Sequence, residues 1–486
     1  MSRKYLSPID ASFIRMESKR TPMHVGSMMT FKLPPDAPPD FVRNLMLKMR
    51  EKPFLPEPFS SRLAQGPLGR IAPAWEPAEV DMEYHLRHSA LPYPGGEREL
   101  GVLVARMHSH PLDLSRPLWE CHLIEGLEGG RFALYFKAHH CAIDGMGAVG
   151  MVRNWLSVDP NSRDTPGPWV LGSKPPRPPS APQTLWQRLQ KPARAASEQL
   201  AGTRDLIKAL RAMMKGDDST TKAALNTPRS RFNVSVSQQR RLGTQIFELP
   251  RIKAVAEAAQ ATVNDVMLAI VAGALRHYLF DTSTLPEKSL LASVPVAIPK
   301  KPGSGANAAA GFVVPLGTQL TEPLARLDGI RRITARAKQD LMSMPREAQV
   351  QFALMGIAPL LLGQMTGTLP RFPPFFNVVV SNVVLSKDPL YLMGAELEAM
   401  YPVSFLFDGY ALNVTLVGYN NQIAVGFLGC RDAIPRLQRM AVYTREALEE
   451  LERALGISPT AAVAEASVAP PSKPKPKSTS PKAKAK

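Results

Sequence analysis

Phe132-Ala133-Leu134-Tyr135-Phe136-Lys137-Ala138-His139-His140-Cys141-Ala142-Ile143-Asp144-Gly145 reads as an apolar strand that ends in two histidines, with an Asp-Gly pair four residues beyond the second. Side chains alternate along a strand, so His139 and His140 point to opposite faces. One imidazole can then be presented to a reaction centre while the other faces structure. Asp144 lies a tight turn away, close enough to orient or constrain the ring. A neutral imidazole is the side chain best suited to removing a proton near pH 7. The stretch is therefore a candidate acid–base site carried by a sheet.

Outward from this strand, Trp119 to Glu125 is a second strand, separated from it by Glu128-Gly129-Gly130, and Gly147 to Leu156 turns helical. Ser7-Pro8-Ile9-Asp10 resembles a capping box with proline at the first helical position. Met28 to Leu33 reads as a strand, and Asp40 to Lys52 and Glu99 to His110 as helices. Prolines recur from Pro160 to Pro182 and exclude regular structure, and a basic amphipathic helix or helix pair follows from Thr184 to Met214. Beyond Arg240 come a strand at Gly243 to Phe247, a helix at Pro250 to Ala259 and a long apolar helix capped by Thr262. Strands at Leu290 to Ala297, Gly311 to Leu316, Phe376 to Ser381, Glu396 to Pro402, Ala411 to Tyr419 and Gln422 to Leu428 precede a closing helix, Pro435 to Leu455. The expected division is an N-terminal lobe over 1–158, a Pro-rich and basic linker over 159–231, a C-terminal lobe over 232–458 and a disordered Lys/Pro-rich tail over 459–486. Both lobes mix helices and strands, so the class is α/β (α+β).

A chain of 486 residues exceeds one ordinary core, and 44% hydrophobic residues can bury a sizeable interior. Of the net charge of +17, the six lysines from Lys473 to Lys486 supply +6, and residues 161–231 supply +8. The basic excess thus sits in linker and tail, as expected for an anionic partner such as a lipid surface or a phosphate-bearing cofactor. No nucleic-acid-binding motif accompanies the charge. Three cysteines, Cys121, Cys141 and Cys430, lack the spacing of a disulfide framework or thiolate metal site. Asp10, Arg15 and Glu17 interrupt any apolar signal core, and the runs Val266 to Leu275 and Phe352 to Gly363 fall short of a bilayer span. A cytoplasmic protein is expected, with no signal peptide or transmembrane helix.

His139 to Gly145 matches the HHxxxDG motif of acyltransferases built like chloramphenicol acetyltransferase and peptide-synthetase condensation domains. Companion segments narrow the match: Leu6 to Phe13, Met23-His24-Val25-Gly26, Arg116-Pro117-Leu118-Trp119-Glu120 with Gly126-Leu127, and Pro228-Arg229 with Phe232-Asn233. Val263-Asn264-Asp265-Val266, Asn377 to Val383, and Tyr401-Pro402-Val403-Ser404 with Asp408-Gly409 continue the series. Together they resemble the bacterial wax ester synthase/diacylglycerol acyltransferase family over roughly residues 5 to 455. Val384-Leu385-Ser386 departs from that family's Pro-Gly-Pro-like turn, and the lysine-rich tail lies outside its pattern.

The resemblance implies two chloramphenicol-acetyltransferase-like lobes with an active-site tunnel at their interface. It implies acyl-CoA as co-substrate, no bound cofactor, and a long-chain fatty alcohol or diacylglycerol as acceptor. It also implies peripheral association with the inner face of the cell membrane or with lipid inclusions. By the same resemblance His140 is the general base, His139 supports it, Asp144 anchors the loop and Gly145 permits the turn. Asn264 becomes a candidate oxyanion donor, and Asp265, Ser381 and Asn382 candidate substrate contacts, with capping or turn-forming roles as alternatives for all of them. A metal site is not expected, because adjacent strand histidines diverge. A Cys141–His140 nucleophilic pair has poor geometry for the same reason, and Cys141 reads as a buried thiol. His108 and His110 read as surface or structural, and Trp119 as a packing anchor. Two other readings stay open: a related acyltransferase using a carrier-bound acyl donor, and a non-catalytic lipid-binding protein of the same fold.

Overall fold

The computed structural model describes residues 3–51, 57–66, 69, 72–163, 167, 197, 204, 207, 226–282, 285–297, 309–344 and 358–458. The expected helix from Thr184 to Met214, most of the Pro-rich stretch and the tail from 459 lie outside the described residues.

Two six-stranded sheets organise the chain. The first runs Leu86–Ala90, Trp119–Leu127, Arg131–His139, His24–Lys32, Ala395–Val403 and Tyr391–Leu392 in spatial order. Only its Leu86–Ala90 pairing with Trp119–Leu127 is parallel. The second runs Arg240–Glu248, Gln422–Cys430, Leu412–Tyr419, Val378–Ser386, Leu291–Ala297 and Ala309–Pro315. Here Val378–Ser386 is parallel to both of its neighbours. A small three-stranded sheet joins Lys4–Tyr5, Ala74–Pro77 and Ser61–Leu63.

Sequence boundaries and sheet boundaries differ at one point. The strand Ala395–Val403, in the second half of the chain, pairs with His24–Lys32 and so completes the first sheet. Residues 391–403 therefore depart from the expected contiguous 232–458 lobe. A bulge between Leu397 and Ala399 shifts the alternation by one residue. Ala395, Leu397 and Met400 consequently enter the first lobe's core, while Ala399, Tyr401 and Val403 enter the core around the second. Up to and within the bulge Glu396 and Glu398 stay partly exposed, while from Ala399 to Tyr401 the strand is buried on both faces and carries apolar residues there. Gly426 lets the sheets approach, because a Cβ there would lie 2.1 Å from the Pro402 carbonyl oxygen.

Helices close the seam. Glu97–Ser109 packs on strand Arg240–Glu248, and Gly145–Trp155 packs on Val378–Ser386. The 20-residue helix Val263–Thr282 is long and apolar enough to cross a membrane, but it is largely buried and packs against Arg439–Leu455 and Pro323–Ser343. Pro323–Ser343 escapes the sequence reading because its buried stripe is narrow and partly polar: Arg326, Leu327, Ile330 and Thr334. Strand Val378–Ser386 runs five residues past the expected end at Ser381 because parallel pairing to Leu412–Tyr419 continues through Val383 and Val384.

Candidate active site

His140 leaves the end of strand Arg131–His139 with its backbone N–H donating to the Met23 carbonyl at 2.9 Å. Its imidazole stacks on Phe13 with ring centroids 4.3 Å apart, and Phe405 meets it edge-on at 5.3 Å. Phe13 comes from the helix Pro8–Met16 and Phe405 from the segment following the crossover strand, so three distant parts of the chain build one aromatic slot. The residue is partly exposed, and its Nδ1 is enclosed. Burial lowers the His140 pKa to about 4, with the nearby Asp144 carboxylate pulling upward and His139 pushing further down. The imidazole is therefore neutral across the physiological range and ready to accept a proton.

His139 is fully buried on the other side. Its Nδ1 accepts from the Cys141 backbone N–H at 3.2 Å, which requires the proton to sit on Nε2, and Nε2 donates to Glu17 Oε2 at 2.9 Å. Glu17 follows the Pro8–Met16 helix, so this bond ties the helix carrying Phe13 to the histidine strand. The same face of the sheet continues as a buried polar row. His24 lies opposite His139, and its Nε2 donates to the His108 carbonyl at 2.9 Å. Lys137 Nζ donates to the carbonyls of Met107 and His110 and pairs with Glu120 at 3.2 Å. A buried ammonium here satisfies the C-terminal end of the helix Glu97–Ser109. His108 Nε2 donates to the Ser404 carbonyl at 2.6 Å, and Nδ1 accepts from Tyr135 Oη at 2.7 Å. Burial holds His108 neutral, with its pKa lowered to about 3. His108 is thus structural rather than a surface residue, and it fixes the residue before Phe405.

Asp144 is the N-cap of the helix Gly145–Trp155, accepting from the Gly147 N–H at 2.6 Å. Its carboxylate bears on His140 through space, and its hydrogen bond anchors the loop. Gly145 differs from expectation. It opens the helix without a left-handed φ, and a Cβ there would meet no atom within 4 Å, so the turn does not demand glycine. Cys141 is buried and desolvation pushes its thiol well above the ordinary range, which leaves it without thiolate character. Trp119 is buried, and its indole N–H donates to the Phe59 carbonyl at 3.0 Å. Among the described residues no group of three His, Cys, Asp or Glu side chains is arranged to hold a metal ion.

The second lobe's named residues separate into two groups. Asp265 is buried: Oδ2 accepts from the Thr262 N–H and hydroxyl, and Oδ1 accepts from Thr334 Oγ1 at 2.6 Å. Those bonds fasten the start of the helix Val263–Thr282 to Pro323–Ser343 and occupy both oxygens. Asn264 Oδ1 accepts from Asn382 Nδ2 at 3.4 Å. Ser381 and Asn382 are mid-strand, so they face opposite ways. Val379 and Val383, which share Ser381's parity, pack against the cluster holding Phe13 and Cys141 and against the core under the Gly145–Trp155 helix, respectively. Ser381 accordingly lies on the His140 side, and Asn382 on the Asn264 side. Sequence reasoning assigned no role to Glu17 or Phe405, whose partners are 122 and 265 positions away.

Comparison with known proteins agrees with this architecture. Residues 6–267 match the wax ester synthase/diacylglycerol acyltransferase catalytic domain, and residues 305–452 match the C-terminal domain of that family. A putative diacylglycerol O-acyltransferase of Mycobacterium tuberculosis is 49% identical over 452 residues, covering 93% of this chain and 99% of that protein. The O-acyltransferase WSD of Acinetobacter baylyi is 35% identical, covering 92% and 96%. The solved wax ester synthase/diacylglycerol acyltransferase from Marinobacter aquaeolei VT8 superposes with a TM-score of 0.77 at 37% identity, covering 93% of this chain and 100% of that one. The first condensation domain of the calcium-dependent antibiotic synthetase shares the fold at 17% identity, with a TM-score of 0.56 over 94% of this chain and 97% of that one. This chain belongs to the wax ester synthase/diacylglycerol acyltransferase family and is an O-acyltransferase.

Proposed function

We propose that the chain transfers a long-chain acyl group from acyl-CoA directly to the hydroxyl of a fatty alcohol or a diacylglycerol, with His140 as general base. The supporting observation is the partly accessible, neutral His140 held in the Phe13–Phe405 slot where the two lobes meet. His140 Nε2 takes the acceptor's hydroxyl proton as the alcohol oxygen attacks the thioester carbonyl. The tetrahedral intermediate then expels the CoA thiolate, and the imidazolium returns the proton to sulfur. The new C–O bond replaces the C–S bond, and the products are an ester and free CoA. Asp144 supplies negative charge that favours the transient imidazolium, while Glu17 and His139 hold the strand end that carries it.

On this reading Ser381 borders the reaction chamber, while Asn264 and Asn382 bond to each other on the other face of the strand and brace the second lobe rather than donating to the oxyanion. An apolar tunnel, as the family resemblance implies, would suit the donor, since each buried methylene of an acyl chain gains about 0.8 kcal/mol. Both acceptors are lipids, so the enzyme works at or near a lipid surface. One labelled acyl-CoA offered with hexadecanol and dioleoylglycerol in competition tests the reading, with wax ester and triacylglycerol resolved. Labelled ester with stoichiometric thiol release is expected. Turnover only from a carrier-protein thioester, with none from acyl-CoA, would overturn the donor assignment.

A further inference from the structure

A basic concavity lies on the far side of the second sheet from His140. Arg241, Arg431, Arg436 and Arg439 line it with Asp432, Pro435 and Gln438, so four guanidiniums meet a single carboxylate. Its position follows from strand alternation. Arg240 reaches from one face of its strand to the Arg20 carbonyl in the first lobe. Gly243 and Gln245, of Arg241's parity, meet Gln438 and Ala441 at the start of the helix Arg439–Leu455 on the other face. The concavity therefore opens away from the lobe seam and from the reacting thioester.

Two further features mark this face. Arg439 pairs loosely with Asp281 at 3.8 Å, and Tyr443 Oη donates to the same carboxylate. The residue before Asp281 is Phe280, 74% exposed at the end of the long apolar helix, and Val442, one turn beyond Arg439, is also exposed. Arg241 and Arg436 have no ion pair among the described residues apart from the influence of Arg241 on Asp432, whose pKa is lowered by bonds from Ser237 and Arg431 first. Arg436 also keeps a left-handed φ of 54°, a conformation that costs a non-glycine residue energy. Arg241 and Arg436, with no ion pair among the described residues, beside Arg431 and Arg439 and an exposed phenyl ring and valine, have the composition of a surface that lies on a membrane interface. The cations meet lipid phosphates while the apolar side chains enter the headgroup region.

We propose that this Arg241–Arg431–Arg436–Arg439 face, with Phe280, docks the enzyme on an anionic phospholipid surface. The inference rests on the reading that the acceptor is a lipid, but it assigns a surface separate from the catalytic slot. The test uses the full chain and floats it with vesicles of phosphatidylcholine alone or with about one-third phosphatidylglycerol. Binding is expected to need the anionic lipid and to weaken with salt. Arg241→Gln with Arg436→Gln should weaken it about thirtyfold, from about 1 kcal/mol per basic residue near an anionic surface. Phe280→Ser should weaken it with no change in the salt dependence. Turnover of acyl-CoA with a short, water-soluble alcohol should stay unchanged in both variants, which separates a docking defect from a catalytic or folding one. Vesicle binding that survives the double substitution overturns the proposal and assigns docking to another surface, the lysine-rich tail included. Binding that inorganic phosphate or free CoA abolishes at constant ionic strength also overturns it, and identifies a soluble-phosphate site.

Discussion

Phe13 should control the pH at which the enzyme loses activity in acid. Its ring lies 4.3 Å from that of His140 and, with Phe405, keeps water from the imidazole. Desolvation is the largest cause of the fall in the His140 pKa from 6.5 to about 4. The sign follows directly: a histidine whose pKa is lowered stays neutral, and active as a base, down to that lower value. At pH 6 the wild-type ring is then about 99% neutral, so kcat/KM should be flat from pH 8 to 6 and fall only near pH 4 to 5. Opening the slot with Phe13→Ala admits water and returns the pKa toward 6.5, which leaves about a quarter of the rings neutral at pH 6. The ratio of kcat/KM at pH 8 to that at pH 6 should rise from about 1 to about 4. Thiol release measured across pH gives both limbs. Each enzyme is compared with itself and its folded fraction is checked by circular dichroism at both pH values, since Phe-to-Ala in a core costs about 3–5 kcal/mol. Phe13→Leu, which keeps most of the apolar wall, should move the limb less. An acid limb near 6.5 in the wild type, or one that Phe13→Ala leaves in place, refutes the reasoning.

Three other expectations follow from the same geometry. Asp144→Asn keeps an N-cap acceptor for Gly147 and should retain most activity, whereas Asp144→Ala should cost about 1 kcal/mol in urea denaturation; a loss of several orders of magnitude in the Asn variant would instead make Asp144 a triad acid. Glu17→Ala strands the buried His139 Nε2–H and should destabilise the fold by about 1–3 kcal/mol, with Glu17→Gln, which can still accept, restoring most of it on a denaturant melt. Stability should decline as pH falls from about 6.5 toward 4, because His24, His108 and His140 all bind protons more weakly when folded than when unfolded. Each contributes up to about 1.4 kcal/mol per pH unit in that window, and a urea midpoint unchanged between pH 7 and 5 contradicts it.

Much of the architecture was legible from periodicity. Strand Arg131–His139 falls where alternation and the Glu128-Gly129-Gly130 turn place it, and the Thr262 cap marks the start of the long buried helix. His139 ends the strand and bonds Glu17, while His140, in the turn just beyond it, stacks on Phe13. What could not be read was long-range. Ala395–Val403 looks like any apolar strand, and only pairing with His24–Lys32 reveals that it serves the other lobe. Glu17 and Phe405 acquire meaning only when the fold brings them to the histidines. Ser381 and Asn382 looked like a strand end; the continued parallel pairing makes them mid-strand and sends them apart. Gly145 was expected to permit a turn under the histidine, and here it begins a helix in open space.

The most direct test of the account is thiol release from palmitoyl-CoA with hexadecanol by the His140→Ala enzyme, run beside the wild type and His139→Ala. His140 is partly exposed, and circular dichroism of the variant establishes that it folds. The account predicts a fall of at least about a hundredfold in turnover for His140→Ala, the scale of a lost general base, while palmitoyl-CoA still binds. Turnover within a few-fold of wild type in that folded variant contradicts it.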